Sequence, residues 1–82
     1  MSAALLTVYT RRGCHLCDDL IEALLPLVRG RADVSFIDID DDPLLVERYN
    51  DAVPVLVHGE QEICRHFLDR DALTLALQAI NG

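Results

Sequence analysis

The stretch "YTRRGCHLCDDL", residues 9–20, places two cysteines three positions apart, after a short apolar run and ahead of an apolar repeat of helical period. Residues 5–10, "LLTVYT", have the length and the β-branched and aromatic content of a strand, and "RRG" supplies its turn. From Cys14 to Val28, Leu16, Leu20, Leu24 and Leu27 recur at three- and four-residue spacing, which predicts an amphipathic helix starting at the cysteines. Pro26 falls inside that pattern and predicts a kink or an early stop, with Gly30 as the terminal signal.

The rest of the chain repeats this alternation. "DVSFIDI", 33–39, reads as a second strand, and Asp42 followed by Pro43 reads as the cap and first residue of a short helix to about Tyr49. A strand over 53–58, a tight turn at Gly59 and a strand over 61–65 follow. Asp69 caps a last helix through Leu73, Leu77 and Ile80. The order is β-α-β-α-β-β-α. It implies an α/β fold with right-handed parallel crossovers between the strands that helices separate, an antiparallel hairpin on the same sheet, and four strands in a mixed sheet flanked by helices.

The chain's 82 residues suffice for one modest core, so a single domain spanning 1–82 is expected. Its formal charge of −7 disfavours nucleic acid and anionic membranes, which are bound through clustered Lys and Arg. No apolar stretch is long enough to span a bilayer, and "MSAALLTVYT" lacks the basic segment and apolar length of a secretion signal. A cytoplasmic monomer is expected. Three cysteines are too few to staple a secreted mini-domain, so in a reducing compartment the spaced pair points to catalysis or metal binding before structure.

Residues at i and i+3 of a helix share a face at roughly 5–6 Å, so Cys14 and Cys17 can pass between dithiol and disulfide after a small adjustment. Cys14, at the helix N-terminus with Arg11 and Arg12 upstream, has the environment that favours a thiolate. A thiol of pKa ~8.5 is about 3% thiolate at neutral pH, whereas one near 6 is roughly 90%. Nucleophilicity falls as pKa falls and offsets part of that gain. Asp18 and Asp19 pull the other way by charge. Cys14 is the candidate nucleophile and Cys17, one turn further in, the candidate resolving thiol.

Metal and structural readings of the same pair stay open. "CHLC" supplies at most three ligands in divergent directions, and the remainder would come from His58, Cys64 or His66, with no second CxxC or HxxxH to complete a spacing. The run Asp38, Asp40, Asp41, Asp42 lacks the Gly and Glu of a calcium loop, since Pro43 and Tyr49 stand at those positions. It reads as a strand end and a helix cap. No metal site is assigned. His15 reads either as a neighbour tuning the thiolate or as a bystander. Cys64 reads as a packed thiol.

A strand, a basic turn, CxxC at a helix start and the later "AVPVLV", 52–57, together resemble the thioredoxin superfamily. More narrowly they resemble the short bacterial glutaredoxin-like proteins. The resemblance implies a thioredoxin fold and dithiol-disulfide oxidoreductase activity through Cys14 and Cys17. It also implies a cis Val53-Pro54 bond packed beside the CxxC, with the Val53 backbone pairing with substrate, and a substrate contact from Arg11, the basic residue three before the first cysteine. The departures are the inner pair His15-Leu16, where glutaredoxins carry Pro-Tyr, and the region "ICRHFLDRD", 63–71, which has Arg65 and His66 where the family's glycine pair receives glutathione. Bulky side chains there crowd a backbone that needs close approach. No cofactor is expected, glutathione as reductant or substrate stays open, and the expected partner is a protein or small-molecule disulfide. The competing class is a non-catalytic thioredoxin-like binding module, or a metal-binding protein.

Overall fold

The computed structural model describes residues 4–81. Expectations that fall on residues 1–3, the start of the stretch tested for a signal, lie outside the described residues. The central strand β1 (Ala4–Thr10) is paired along its whole length with β2 (Ala32–Asp38) in parallel, from Ala4 opposite Ala32 to Thr10 opposite Asp38. On its other side β1 meets β3 (Val55–His58) antiparallel, so only the connection from β1 to β2 is the expected parallel crossover and the one that follows β2 is not; β4 (Gln61–Arg65) completes a hairpin with β3. The strand order is β2-β1-β3-β4. The pairing of β3 with β4 shifts register between Leu56 and Val57. Three helices, α1 (His15–Val28), α2 (Pro43–Tyr49) and α3 (Arg70–Asn81), complete the expected element order.

Strand alternation divides the core in two. Leu6, Val8 and Leu56 point to one face and pack with Leu20, Leu24 and Val28 of α1 and Leu73 and Leu77 of α3. Val55 and Val57 point to the other, where they join Tyr49 of α2, Ile39, Val53 and Cys17. A fully buried leucine on either face removes apolar surface worth roughly 1.5–3 kcal/mol from water. The second cluster is the one that holds the cysteine region. Core packing and thiol chemistry therefore share a boundary.

Several boundaries differ from expectation for identifiable reasons. Helix α1 does not stop at Pro26 but runs to Val28. The carbonyl that Pro26 leaves without an N–H partner belongs to Glu22, an exposed residue, so water can satisfy it, while Leu24 and Val28 are anchored in the core. The buried stripe of α1 is Cys17, Leu20, Leu24 and Val28, so Cys17 rather than Leu16 begins it. Strand β3 begins at Val55, because Pro54 has no N–H to contribute to a ladder. Ile39 turns out of β2 into a 3₁₀ turn, Ile39–Asp41, whose first N–H groups are capped by Asp38.

Candidate active site

The turn after β1 brings the chain round through Gly13, whose φ of +72° is a left-handed conformation that glycine adopts without a Cβ penalty. Cys14 then takes extended backbone angles as the N-cap of α1. Its Sγ accepts a hydrogen bond from the Cys17 N–H at 3.1 Å, and its carbonyl accepts from the Asp18 N–H at 3.2 Å. A sulfur thus occupies the place that a Ser or Asp oxygen holds in an ordinary cap. The two cysteine sulfurs are paired as a disulfide, with Cα atoms 5.2 Å apart.

The pair is unequal in access. Cys17 is 0% exposed and belongs to the core cluster with Ile39 and Val53, whereas Cys14 packs against that cluster and is only partly buried. Incoming sulfur can reach Cys14 and not Cys17. His15 between them faces solvent.

Val53, from the loop before β3, belongs to the same cluster, and Pro54 follows it. Their peptide bond is cis, Pro54 is fully buried, and its carbonyl accepts the His66 N–H at 2.8 Å. That bond ties the segment after β4 to the Val53–Pro54 loop. His66 has a φ of +70°, the left-handed region that is uncommon outside glycine, although His, Asn and Asp enter it more readily than most. The backbone at His66 therefore holds a conformation that glycine adopts freely and carries an imidazole. Arg65 turns away onto Glu62, with contacts of 2.6 and 2.8 Å that hold the Glu62 carboxyl below its ordinary range. Phe67, next along, is 68% exposed.

Arg11 is placed differently from a free substrate contact. Its guanidinium forks onto Asp40, with Nη2 2.8 Å from Oδ1 and Nε 3.0 Å from Oδ2, and Nη1 reaches the Asn50 side-chain oxygen at 3.3 Å. The hydrogen bond to Arg11 pulls the Asp40 carboxyl below its ordinary value. Arg12 is almost fully exposed and lies 3.7 Å from Asp38. Asp40 and Asn50 were not legible as partners of Arg11, being 29 and 39 residues away with no local motif to mark them.

Cys64 stands opposite Leu56 on β4, and burial pushes its thiol above the ordinary value, the state of a packed thiol at neutral pH. Among the described residues no three His, Cys, Asp or Glu side chains come together as a metal site, so His58, Cys64 and His66 are not brought to the CxxC. No helix among them is long and apolar enough to cross a membrane. A groove of about 500 Å³ between β4 and α3 is lined mainly by apolar side chains such as Ile63, Leu75 and Ile80. A polar one of about 350 Å³ lies beside the stacked Tyr9 and Tyr49 rings. Neither is lined by Cys14, Cys17 or Pro54.

Comparison with known proteins agrees with this geometry. Residues 5–78 match the family model described as Glutaredoxin-like domain (DUF836). The solution structure of protein Ne2328 from Nitrosomonas europaea is 38% identical, with a TM-score of 0.80 and 93% of each chain covered. The X-ray structure of protein XcR50 from X. campestris is also 38% identical, with a TM-score of 0.70, covering 90% of this chain and 96% of that one. Fasciola hepatica thioredoxin, at 14% identity and a TM-score of 0.61 over 95% of this chain and 81% of its own, shares the fold. No curated protein sequence matches. With a four-stranded mixed sheet, three helices and a Cys14–Cys17 pair at disulfide distance, the chain belongs to the glutaredoxin-like domain family (DUF836) and has the thioredoxin fold.

Proposed function

We propose that the protein is a dithiol-disulfide oxidoreductase in which Cys14 attacks and Cys17 resolves. The observation that carries this reading is the asymmetry of the pair: an accessible sulfur that accepts a backbone N–H, bonded to a fully buried one. In the reducing direction the Cys14 thiolate attacks one substrate sulfur, forming a mixed disulfide and expelling the other sulfur as a thiolate that takes up a proton. Cys17 then loses its proton and attacks Cys14 Sγ. The Cys14–Cys17 bond forms, the second substrate thiolate leaves and is protonated, and two electrons have passed to the substrate. The N–H of Cys17 is fixed by the helix and stabilises charge on Cys14 whenever that sulfur is the nucleophile or the leaving group.

Val53 and Pro54 are proposed to flank the bound substrate, since Val53 belongs to the cysteines' cluster and Pro54 follows it through the cis bond. A protein disulfide is the favoured partner. Exposed Phe67 adjoins His66, whose N–H is bonded to Pro54, and gives an apolar contact for a macromolecule, while an imidazole near the place where the resemblance puts a glycine pair disfavours close approach of a tripeptide backbone. A cytoplasmic setting suits a pair that must cycle through the dithiol. The decisive assay follows reduction of a protein disulfide such as insulin by the dithiol form. Cys14→Ser abolishes it and Cys17→Ser stops at a mixed disulfide; unchanged turnover in Cys14→Ser would refute the assignment.

A further inference from the structure

Arg11 lies three residues before the nucleophile proposed above, and its charge is already taken. The fork onto Asp40 uses Nε and Nη2, and Asn50 takes a third N–H at Nη1, leaving two of five donors. Asp40 is itself held, since its backbone N–H donates to the Asp38 side chain at 2.9 Å, opening the 3₁₀ turn whose Ile39 is buried in the cluster with Cys17. Arg12, the next cation, faces Asp38. The first turn of α1 adds Asp18, and Asp19 follows it, both exposed. Each arginine on this approach thus has a carboxylate of its own. A substrate carboxylate arriving at Arg11 would have to displace Asp40 and then sit beside it.

We propose that Asp40 is a specificity-determining residue: by holding Arg11 in an internal ion pair it turns Cys14 away from substrates that carry a carboxylate near the reacting sulfur, glutathione disulfides among them, and toward neutral or cationic disulfides. This rests on the oxidoreductase reading only in naming the substrate; the charge gate itself acts on any reagent approaching Cys14.

The test compares alkylation of Cys14 in the reduced protein by anionic iodoacetate and neutral iodoacetamide, read at the Cys14 peptide by mass spectrometry. Their rate ratio cancels the thiolate fraction, so it reports the local field alone. Asp40→Asn raises the ratio more than about fivefold: fivefold is the size expected when one unit charge a few ångströms away is removed in water, and the freed Arg11 guanidinium adds a direct contact with the anion. In the Arg11→Gln background the rise falls to the direct effect of the lost Asp40 charge, and in both backgrounds it shrinks near 1 M salt, where the screening length is about 3 Å. A second measurement sets dithiodipropionate, a dianion, against cystamine, a dication: Asp40→Asn lowers KM for the dianion and leaves kcat in place. An unchanged alkylation ratio, or a rise equally large with and without Arg11, overturns the proposal. Alkylation needs no turnover, so a shifted ratio in a protein inert toward every disulfide would refute the oxidoreductase reading and leave the charge gate standing.

Discussion

The Cys17 backbone N–H donates to Cys14 Sγ across a single helical turn, at 3.1 Å, while the Cys17 side chain is fully buried. The same residue that secures the second sulfur in the core thus offers a donor to the first. Cys64 has the opposite environment, a half-buried position where burial keeps the thiol protonated. In the reduced protein at about pH 7, iodoacetamide is expected to modify Cys14 at least about tenfold faster than Cys64, since each unit of pKa is a factor of ten in thiolate at such pH. Equal rates at the two positions would show that the cap does not activate Cys14.

His66 and Pro54 give the second prediction. The His66 backbone is left-handed and its N–H is committed to the Pro54 carbonyl. A β-branched residue cannot hold that conformation without a penalty of about 1–2 kcal/mol, whereas glycine holds it freely. His66 already carries much of that penalty, so His66→Val is expected to lower the unfolding free energy read from urea curves by up to about 1 kcal/mol, and His66→Gly to keep it or raise it by up to about 1 kcal/mol. Glycine also opens the approach beside Pro54, so turnover on a glutathione mixed disulfide should rise in His66→Gly. Equal stability of the valine and glycine variants would argue against the positive φ.

Most of the architecture was legible because it rests on local patterns. Leucines at helical spacing marked α1, Asp42-Pro43 marked the start of α2, and the Gly59 turn marked the β3–β4 hairpin. Cys14 and Cys17 were legible for the same reason, their spacing being a local signal. What sequence concealed was long-range: Asp40 read as part of a capping run, and only the folded chain shows it gripping Arg11. The rotation of α1 that makes Cys17, and not Leu16, the first buried residue is likewise set by packing against Ile39 and Val53. Periodicity finds the stripe and leaves its phase uncertain by a residue. The conformation of His66 had no signal at all, because positive φ is advertised by glycine and here none is present.

The core gives a third prediction, with an internal control. Leu24 is fully buried between α1 and the sheet, and its neighbour Leu25 faces largely outward. Leu24→Ala is expected to cost about 2–5 kcal/mol, from lost transfer energy and the cavity left behind. A domain of this size has roughly 4–12 kcal/mol in total at 0.05–0.15 kcal/mol per residue. At about 4–8 °C per kcal/mol, the melting temperature of the disulfide form should drop by roughly 10 °C or more. Leu25→Ala should stay within about 1 kcal/mol of the parent. Similar losses at both positions would misplace the buried face of α1.

Alkaline pH gives the last. All seven basic side chains are arginine, so no lysine titrates between neutrality and strong alkali. In the disulfide form the side chains that matter in that range are Cys64 and Tyr49, and burial raises both. A raised acid is neutral in the folded chain while it already ionises in the unfolded one, which then binds fewer protons. Its contribution to stability is therefore complete below the unfolded value, about 8.5 for a thiol, and is lost as pH climbs through the folded value. Urea midpoints of the disulfide form should hold steady up to about pH 8 and then decline. Cys64→Ala removes the thiol's share, so its curve should stay flatter between about pH 8 and 10 and bend only where Tyr49 begins to ionise. Comparing slopes rather than absolute midpoints separates the titration from the packing that the same substitution removes. Identical slopes in parent and variant would mean that Cys64 titrates alike in the folded and unfolded chains, and its burial on β4 would then have no electrostatic consequence.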